Sequence, residues 1–404
     1  MGNYTAPILT AVLVFPVLAA VITLPYMLVQ YKRFGAIPRL RTLIVYSFAL
    51  YMMTTYFLVI LPLPDREEVA AMTGSRTQLI PFQFVRDFIR ESSFDLSEPS
   101  TWIGTLKEGV FLQPFCNLLM FVPLGIYLRY YFRLGLKKTV LFSFLWSLFF
   151  ELTQLTGLYG IYPRSYRLFD VDDLMVNTLG GVCGYFAAAL CMKLLPSRKE
   201  IDEQAVRLSD RVTLPRRLTA VLVDWFVIGG AVSIASAFGL WLLHGDALHT
   251  GVLSYLLIIF CYFVLLPLRT GGYTIGKRLV NIRLVHEDGR TPELKDYLIR
   301  YGILYGVIVP APFYFLILFG LLASFGGIGA LAGIILLMAV GIWLLAFCLR
   351  MCLAMFRHRS EFWYERVSHV RNRNALGEKM SVEFPLRGKM TPARESGRYA
   401  HRKA

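Results

Sequence analysis

Apolar runs of bilayer length alternate with short polar stretches along almost the whole chain. A run of about 20 apolar residues crosses the hydrocarbon core as a helix, and a helix satisfies its own backbone in lipid. This pattern predicts nine spans, near Pro7–Gln30, Leu43–Leu63, Val110–Tyr130, Val140–Leu158, Leu174–Leu195, Leu218–Leu243, Val252–Leu268, Tyr297–Leu321 and Ile328–Met351. The fold class expected is all-α, a polytopic transmembrane helical bundle. Three polar intervals break the series. Pro64–Lys107 is too polar to span, and inside it Pro81–Arg90 carries apolar residues at near-helical spacing, as in a helix lying on a membrane surface. Ser197–Pro215 is a charged linker. Arg269–Asp296 holds a strand-like Leu279–Val285 and a turn at Glu287-Asp-Gly-Arg290, so a small cytoplasmic β-hairpin is expected there.

The expected domains are a five-span unit at 1–196 with an extracellular segment at 64–107, a linker at 197–215, a four-span unit at 216–372, and a basic tail at 373–404. The tail has few apolar residues after Leu376 and is expected to be disordered. The first apolar run lacks a basic leader and a small-residue cleavage site, so it reads as a retained span.

Charge adds orientation. The net charge is +15, which in a soluble protein points to nucleic acid. Here the basic residues lie mostly between apolar runs and in the tail, where they set topology and meet anionic lipid. The partners expected are therefore the bilayer and, at the tail, anionic lipid, with no nucleic acid. Basic clusters follow spans one, three, five, seven and nine. That puts the N-terminus outside and the C-terminus in the cytoplasm.

Six cysteines all fall within expected spans, and none makes a metal-ligand pattern or a disulfide framework. No metal and no cofactor are expected.

The chemistry gathers at Glu151–Gly184. Glu151 and Gln154 share one face of span four. Asp170, Asp173 and Asn177 follow i, i+3, i+7 spacing at the start of span five, and Asn117 lies about two turns inside span three. Asn117, Glu151, Gln154, Asp173 and Asn177 are expected to converge beneath the outer surface, with Arg167 above them. Polar residues at membrane depth are costly and mark functional sites by default. Three uses stay open. The amides tie helices together and Arg167 neutralises Asp170 or Asp173; or the cluster recognises a ligand, with Arg167 on a phosphate or carboxylate; or Glu151 and Asp173 form a proton-holding pair for acid/base work. Whether the chain is an enzyme stays open with them. In the second half Asp224 lies about two turns into span six. Buried pairing with Arg217 or Arg269 and an ion or proton site are its two readings. Gly271–Lys277 imitates a P-loop, but Arg278 follows Lys277 and a strand follows that, so the reading fails on context.

Leu79-Ile-Pro-Phe82, Asn117-Leu-Leu-Met-Phe-Val-Pro-Leu-Gly125, Glu151-Leu-Thr-Gln154, and Arg167-Leu-Phe-Asp170 through Asn177-Thr-Leu-Gly180 resemble the VanZ-like family over residues 40–195. Arg217, Ala220 and Asp224, then Gly272-Tyr-Thr274-Ile-Gly276-Lys277, resemble the RDD family over residues 211–372, with Glu365 where that family has a second aspartate. The first resemblance, to a family named for a protein that gives low-level resistance to teicoplanin, implies a cell-envelope role without a reaction, in a bacterial cytoplasmic membrane. A lipid-linked cell-wall component or lipoglycopeptide would be the ligand. The second implies, for some members, ion or proton exchange. A membrane enzyme acting on a lipid-linked substrate is the third reading.

Overall fold

The computed structural model describes residues 5–243, 247–324, 327–357 and 362–376. Its contacts divide the chain into two units. Unit 1 holds residues 1–25 and 37–205, and unit 2 holds residues 26–36 and 206 onward.

Unit 1 takes the first part of α1 (Thr5–Phe34), then α2 (Arg39–Ile60), α3 (Arg66–Ala71), β1 (Thr77–Gln78), α4 (Gln83–Glu91), α5 (Pro99–Thr105), α6 (Gly109–Tyr130), α7 (Leu136–Leu155), the short α8 (Gly157–Gly160), β2 (Phe169–Asp170), α9 (Val171–Leu194) and most of α10 (Arg198–Leu208). The α6–α9 pair is the tightest in the unit. A Cβ on Gly180 would overlap the Leu118 carbonyl oxygen, and one on Gly184 would overlap that of Val122. Small residues allow such close backbone approach where lipid supplies no hydrophobic drive between helices. Phe121, Leu124, Leu128 and Phe150 form the core beside this contact.

The expected linker is partly built into unit 1. Ile201 is buried against Ile44, Tyr130 and Tyr131, Arg41 pairs with Asp202, and Arg198 Nη1 donates to the Tyr131 carbonyl (3.1 Å). Its charged composition hid one apolar face.

Unit 2 contains the end of α1, then α11 (Leu214–Leu243), α12 (Ala247–Phe260), a π-helical segment (Cys261–Leu265), α13 (Leu266–Thr270), α14 (Ile275–Leu279), β3 (Ile282–His286), α15 (Leu294–Tyr301), a second π-helical segment (Gly302–Ile308), α16 (Ala311–Ala323), α17 (Gly327–Arg357), α18 (Trp363–Val367) and β4 (Val370–Asn374). The expected hairpin within Arg269–Asp296 does not form. β3 pairs antiparallel with β4, Ile282 opposite Asn374 and His286 opposite Val370. Ile282 and Leu284 are fully buried, and after the strand the His286 N–H bonds the Arg290 carbonyl (3.0 Å), so the turn closes without a returning strand. β4 also carries the ordered unit beyond the expected limit at 372. The rest of the basic tail, past residue 376, lies outside the described residues.

Among the described residues, six helical stretches are long and apolar enough to cross a membrane, and seven if the pair Leu294–Ile308 and Phe313–Leu322, bent by 41°, is one span. The expected count was nine. The other two are α7, where Lys137, Lys138, Glu151 and Gln154 hold down the average apolarity of a 20-residue helix, and α17, a 31-residue helix of which Leu331–Trp343 is the apolar stretch among the described residues. The molecule is a multi-pass helical membrane protein.

Candidate functional site

In unit 1 the start of α9 is the organising point. β1 and β2 pair in parallel, with Gln78 opposite Asp170. Asp170 caps α9 by accepting the Asp172 N–H (2.8 Å), an ordinary N-cap arrangement. Asp172 turns the other way. Its two oxygens accept the N–H groups of Phe82 (2.7 Å) and Phe84 (2.9 Å) at the start of α4. Phe82 has φ +63°, a left-handed backbone, and these bonds hold it there. Glu151, on α7, accepts the Asp170 N–H (3.0 Å), and Asn117, on α6, donates to Asp173 Oδ1 (2.6 Å). Asn177 donates to Ser147 Oγ (2.8 Å).

Three helices thus bring Asn117, Glu151, Asp170, Asp173 and Asn177 together, with Asp172 and Ser147 added. Glu151, Asp172 and Asn177 are each at most 4% exposed. Asn177 Oδ1 is buried with no partner among the described residues. The Tyr166 hydroxyl is likewise buried and unpartnered, and burial pushes its pKa up to about 12 against the pull of Arg167. Burial also raises Asp170, although the Asp172 N–H opposes it.

Gln154 and Arg167 stand apart from this cluster. Gln154 Nε2 donates to the Val59 carbonyl (3.0 Å), and Arg167 donates to those of Val59 (3.1 Å) and Leu61 (3.5 Å). Among the described residues Arg167 makes no hydrogen bond to Asp170 or Asp173, but its charge lies close enough to act on Asp173 and Glu151, as neutralisation of the cluster requires. The last carbonyls of α2 lack helical donors, and the following Pro62 brings no N–H. A cation at that helix end also opposes the dipole's negative pole.

In unit 2 Asp224 has no arginine partner among the described residues, contrary to both pairings expected for it. Tyr262 OH (2.7 Å) and the Gly276 N–H (2.7 Å) donate to Oδ1, and Thr274 OH (2.8 Å) donates to Oδ2. Three donors supply what a cation would have supplied. A Cβ at Gly276 would overlap the Ala220 carbonyl oxygen and crowd the Asp224 carboxylate, so glycine is what lets this turn reach α11. Arg217 bonds Glu365 Oε2 (2.9 Å), Arg300 bonds Oε1 (3.1 Å), and Asn372 adds a donor to Oε1 (2.7 Å). Burial works to raise the Glu365 carboxyl, but Arg300, Arg217 and the Phe362 N–H outweigh it and hold it below the usual carboxylate range. Lys277 is buried, with Nζ donating to Tyr301 OH (3.2 Å), while Arg269 is exposed.

Residues 48–192 match the family described as VanZ/LLP1, and residues 211–355 match the RDD family. The chain joins a VanZ-like domain to an RDD domain. The two families place it among membrane proteins of the cell envelope. Over 85 residues it is 35% identical to "Uncharacterized protein YckC" of Bacillus subtilis (strain 168), covering 21% of this chain. The match spans about half, 52%, of that relative's length. No solved structure matches.

In the VanZ-like domain, sequence reasoning passed over Asp172 and Ser147. Ser147 had a local signal, because Ser143, Ser147 and Glu151 at i, i+4, i+8 make a polar stripe on one face of an otherwise apolar α7. Asp172 had none, since its partners are backbone groups 88 and 90 residues away. In the RDD domain, Cys348 and Cys352 have side chains outside the described residues. Cys116, Cys183, Cys191 and Cys261 are free thiols.

Proposed function

We propose that the acid and amide cluster of the VanZ-like domain opens to the outer face of a bacterial cytoplasmic membrane. There it binds a lipid-linked cell-wall component or a lipoglycopeptide and lowers the access of a teicoplanin-type antibiotic to its target. The observation that carries this reading is the junction at Asp172. It ties a buried cluster of acids and amides to the segment 79–106, which exposes Leu79, Ile80, Phe82, Ile89, Leu96 and Ile103. Exposed apolar side chains along a short amphipathic helix suit the headgroup boundary of a bilayer. A ligand with a polar head and a lipid tail would meet both surfaces at once. Unpartnered buried acceptors such as Asn177 Oδ1 favour recognition over packing alone, because buried polar atoms ordinarily find partners. The resemblance to the VanZ-like family supports the same reading.

The test is equilibrium binding to the full-length protein in nanodiscs, with teicoplanin and a polyprenyl-linked muropeptide precursor as the two probes. One of them binds the wild type, and Glu151→Gln or Asp173→Asn weakens it about tenfold, the loss expected when one hydrogen bond to a charged group goes. Binding of neither probe, or binding that both variants keep, removes the proposal.

A further inference from the structure

The RDD domain encloses a cavity of about 390 Å³ that the reading above does not use. That volume lies in the range of small-ligand sites. Its lining is sharply divided. Its cations are Arg217, Lys277 and Arg300; apart from Asp224 and Asn372, the rest is apolar and aromatic. The division follows from helix periodicity. Arg217, Val221 and Trp225 fall at i, i+4, i+8 on α11, and Arg300, Leu304 and Ile308 do so on α15 and the π-helical segment after it. Each stripe therefore begins with a cation and continues about 12 Å through apolar residues, with Asp224 next to Trp225 on α11. The wider π turn keeps Leu304, Tyr305, Ile308 and Val309 all on the lining, and such segments recur at functional sites. Leu218 and Val221 line the cavity yet are 40% and 38% exposed, so it opens sideways across a bilayer-length helix.

The basic end has charge to spare. Arg217 and Arg300 share the single carboxylate of Glu365, and Asp224 is held by three neutral donors. Lys277 has no carboxylate partner among the described residues. Three cations thus face two carboxylates. The Nε groups of Arg217 and Arg300 are also buried donors without an acceptor. Buried guanidinium N–H groups of this kind suit a phosphate, whose oxygens accept several at once.

We propose that this cavity is a binding site for an anionic phospholipid, with the phosphate at Arg217, Lys277 and Arg300 and one acyl chain along Val221, Trp225 and Leu304. Its lining contains no residue of the tail at 373–404, and it does not depend on the ligand proposed for the VanZ-like domain.

Native mass spectrometry of the full-length protein, taken from phosphatidylcholine nanodiscs doped with phosphatidylglycerol, tests this. The wild type retains one phosphatidylglycerol per chain and no phosphatidylcholine. Lys277→Gln lowers that retention about tenfold, the size expected for one charge-assisted bond. Lys277→Arg restores it, and Leu304→Trp, which fills the apolar wall, abolishes it. A measurement on a folded protein stands beside these. Phosphatidylglycerol spin-labelled on its acyl chain quenches Trp225 fluorescence, read as the difference from Trp225→Phe, and labelled phosphatidylcholine does not. Equal retention of both lipids, retention unchanged in Leu304→Trp, no quenching of Trp225, or displacement of the lipid by inorganic phosphate alone would overturn the proposal.

Discussion

Asp170 and Asp172 stand two residues apart and face opposite consequences of their charge. Asp172 accepts two backbone N–H groups of the α4 start, so Asp172→Asn leaves one of them facing an amide N–H. A loss of about 1–3 kcal/mol is expected, the cost of a buried donor without its acceptor. Asp170 is held above its ordinary pKa by burial. A raised folded pKa means stability that is present below the unfolded value, about 3.9, and lost as pH rises through the folded one. Ionised Asp170 is thus a burden at neutral pH. Asp170→Asn keeps the cap and leaves thermal stability at pH 7 unchanged or higher, measured by melting of the purified protein. Glu365 has the opposite sign. Its depressed pKa gives stability that is present above about pH 4.3 and lost as pH falls through the lower folded value. Glu365→Gln is expected to cost about 3–5 kcal/mol at pH 7 by stranding the buried Arg300 and the partly buried Arg217. The melting gap between variant and wild type then narrows below about pH 4. A gap independent of pH would show that the carboxylate charge is not what Arg217 and Arg300 hold.

At the scale of elements, the α6–α9 contact decides whether the cluster exists. Asn117 and Asp173 meet only because Gly180 and Gly184 let two backbones touch. Gly184→Leu pushes the helices apart. It is expected to lower the expressed, folded fraction severely, as read by size-exclusion profile, whereas an exposed substitution such as Leu190→Ala leaves that profile unchanged. A normal profile for Gly184→Leu would mean the contact is dispensable. The helices were legible because an apolar run of bilayer length has few other solutions. The glycines announced a close contact but not its partner. β3 was legible as a strand, yet its partner lay 92 residues on from Ile282 to Asn374, and no local pattern names such a mate. α10 was read as linker because its charges outweigh Ile201 and Ala205, the two residues it buries.

Across the whole molecule, two membrane modules of different families each carry a buried polar centre, and the two centres are built on different principles. In the VanZ-like domain, acids are clustered and met by neutral donors, N–H groups and amides. In the RDD domain, cations outnumber the acids they touch. Except for Asp172, the acids and amides of the first centre could be picked out in the sequence by spacing. The role of Arg167 could not, because the carbonyls it binds belong to the end of α2, more than 100 residues earlier. The first centre is proposed as the working site in the cell. The most direct measurement is teicoplanin susceptibility of a deletion strain that carries wild-type, Asp173→Asn or Asp224→Asn protein at matched membrane levels. Deletion is expected to sensitise the cells, wild type and Asp224→Asn to restore protection, and Asp173→Asn not to. Full protection by Asp173→Asn, or susceptibility that never changes, would contradict it.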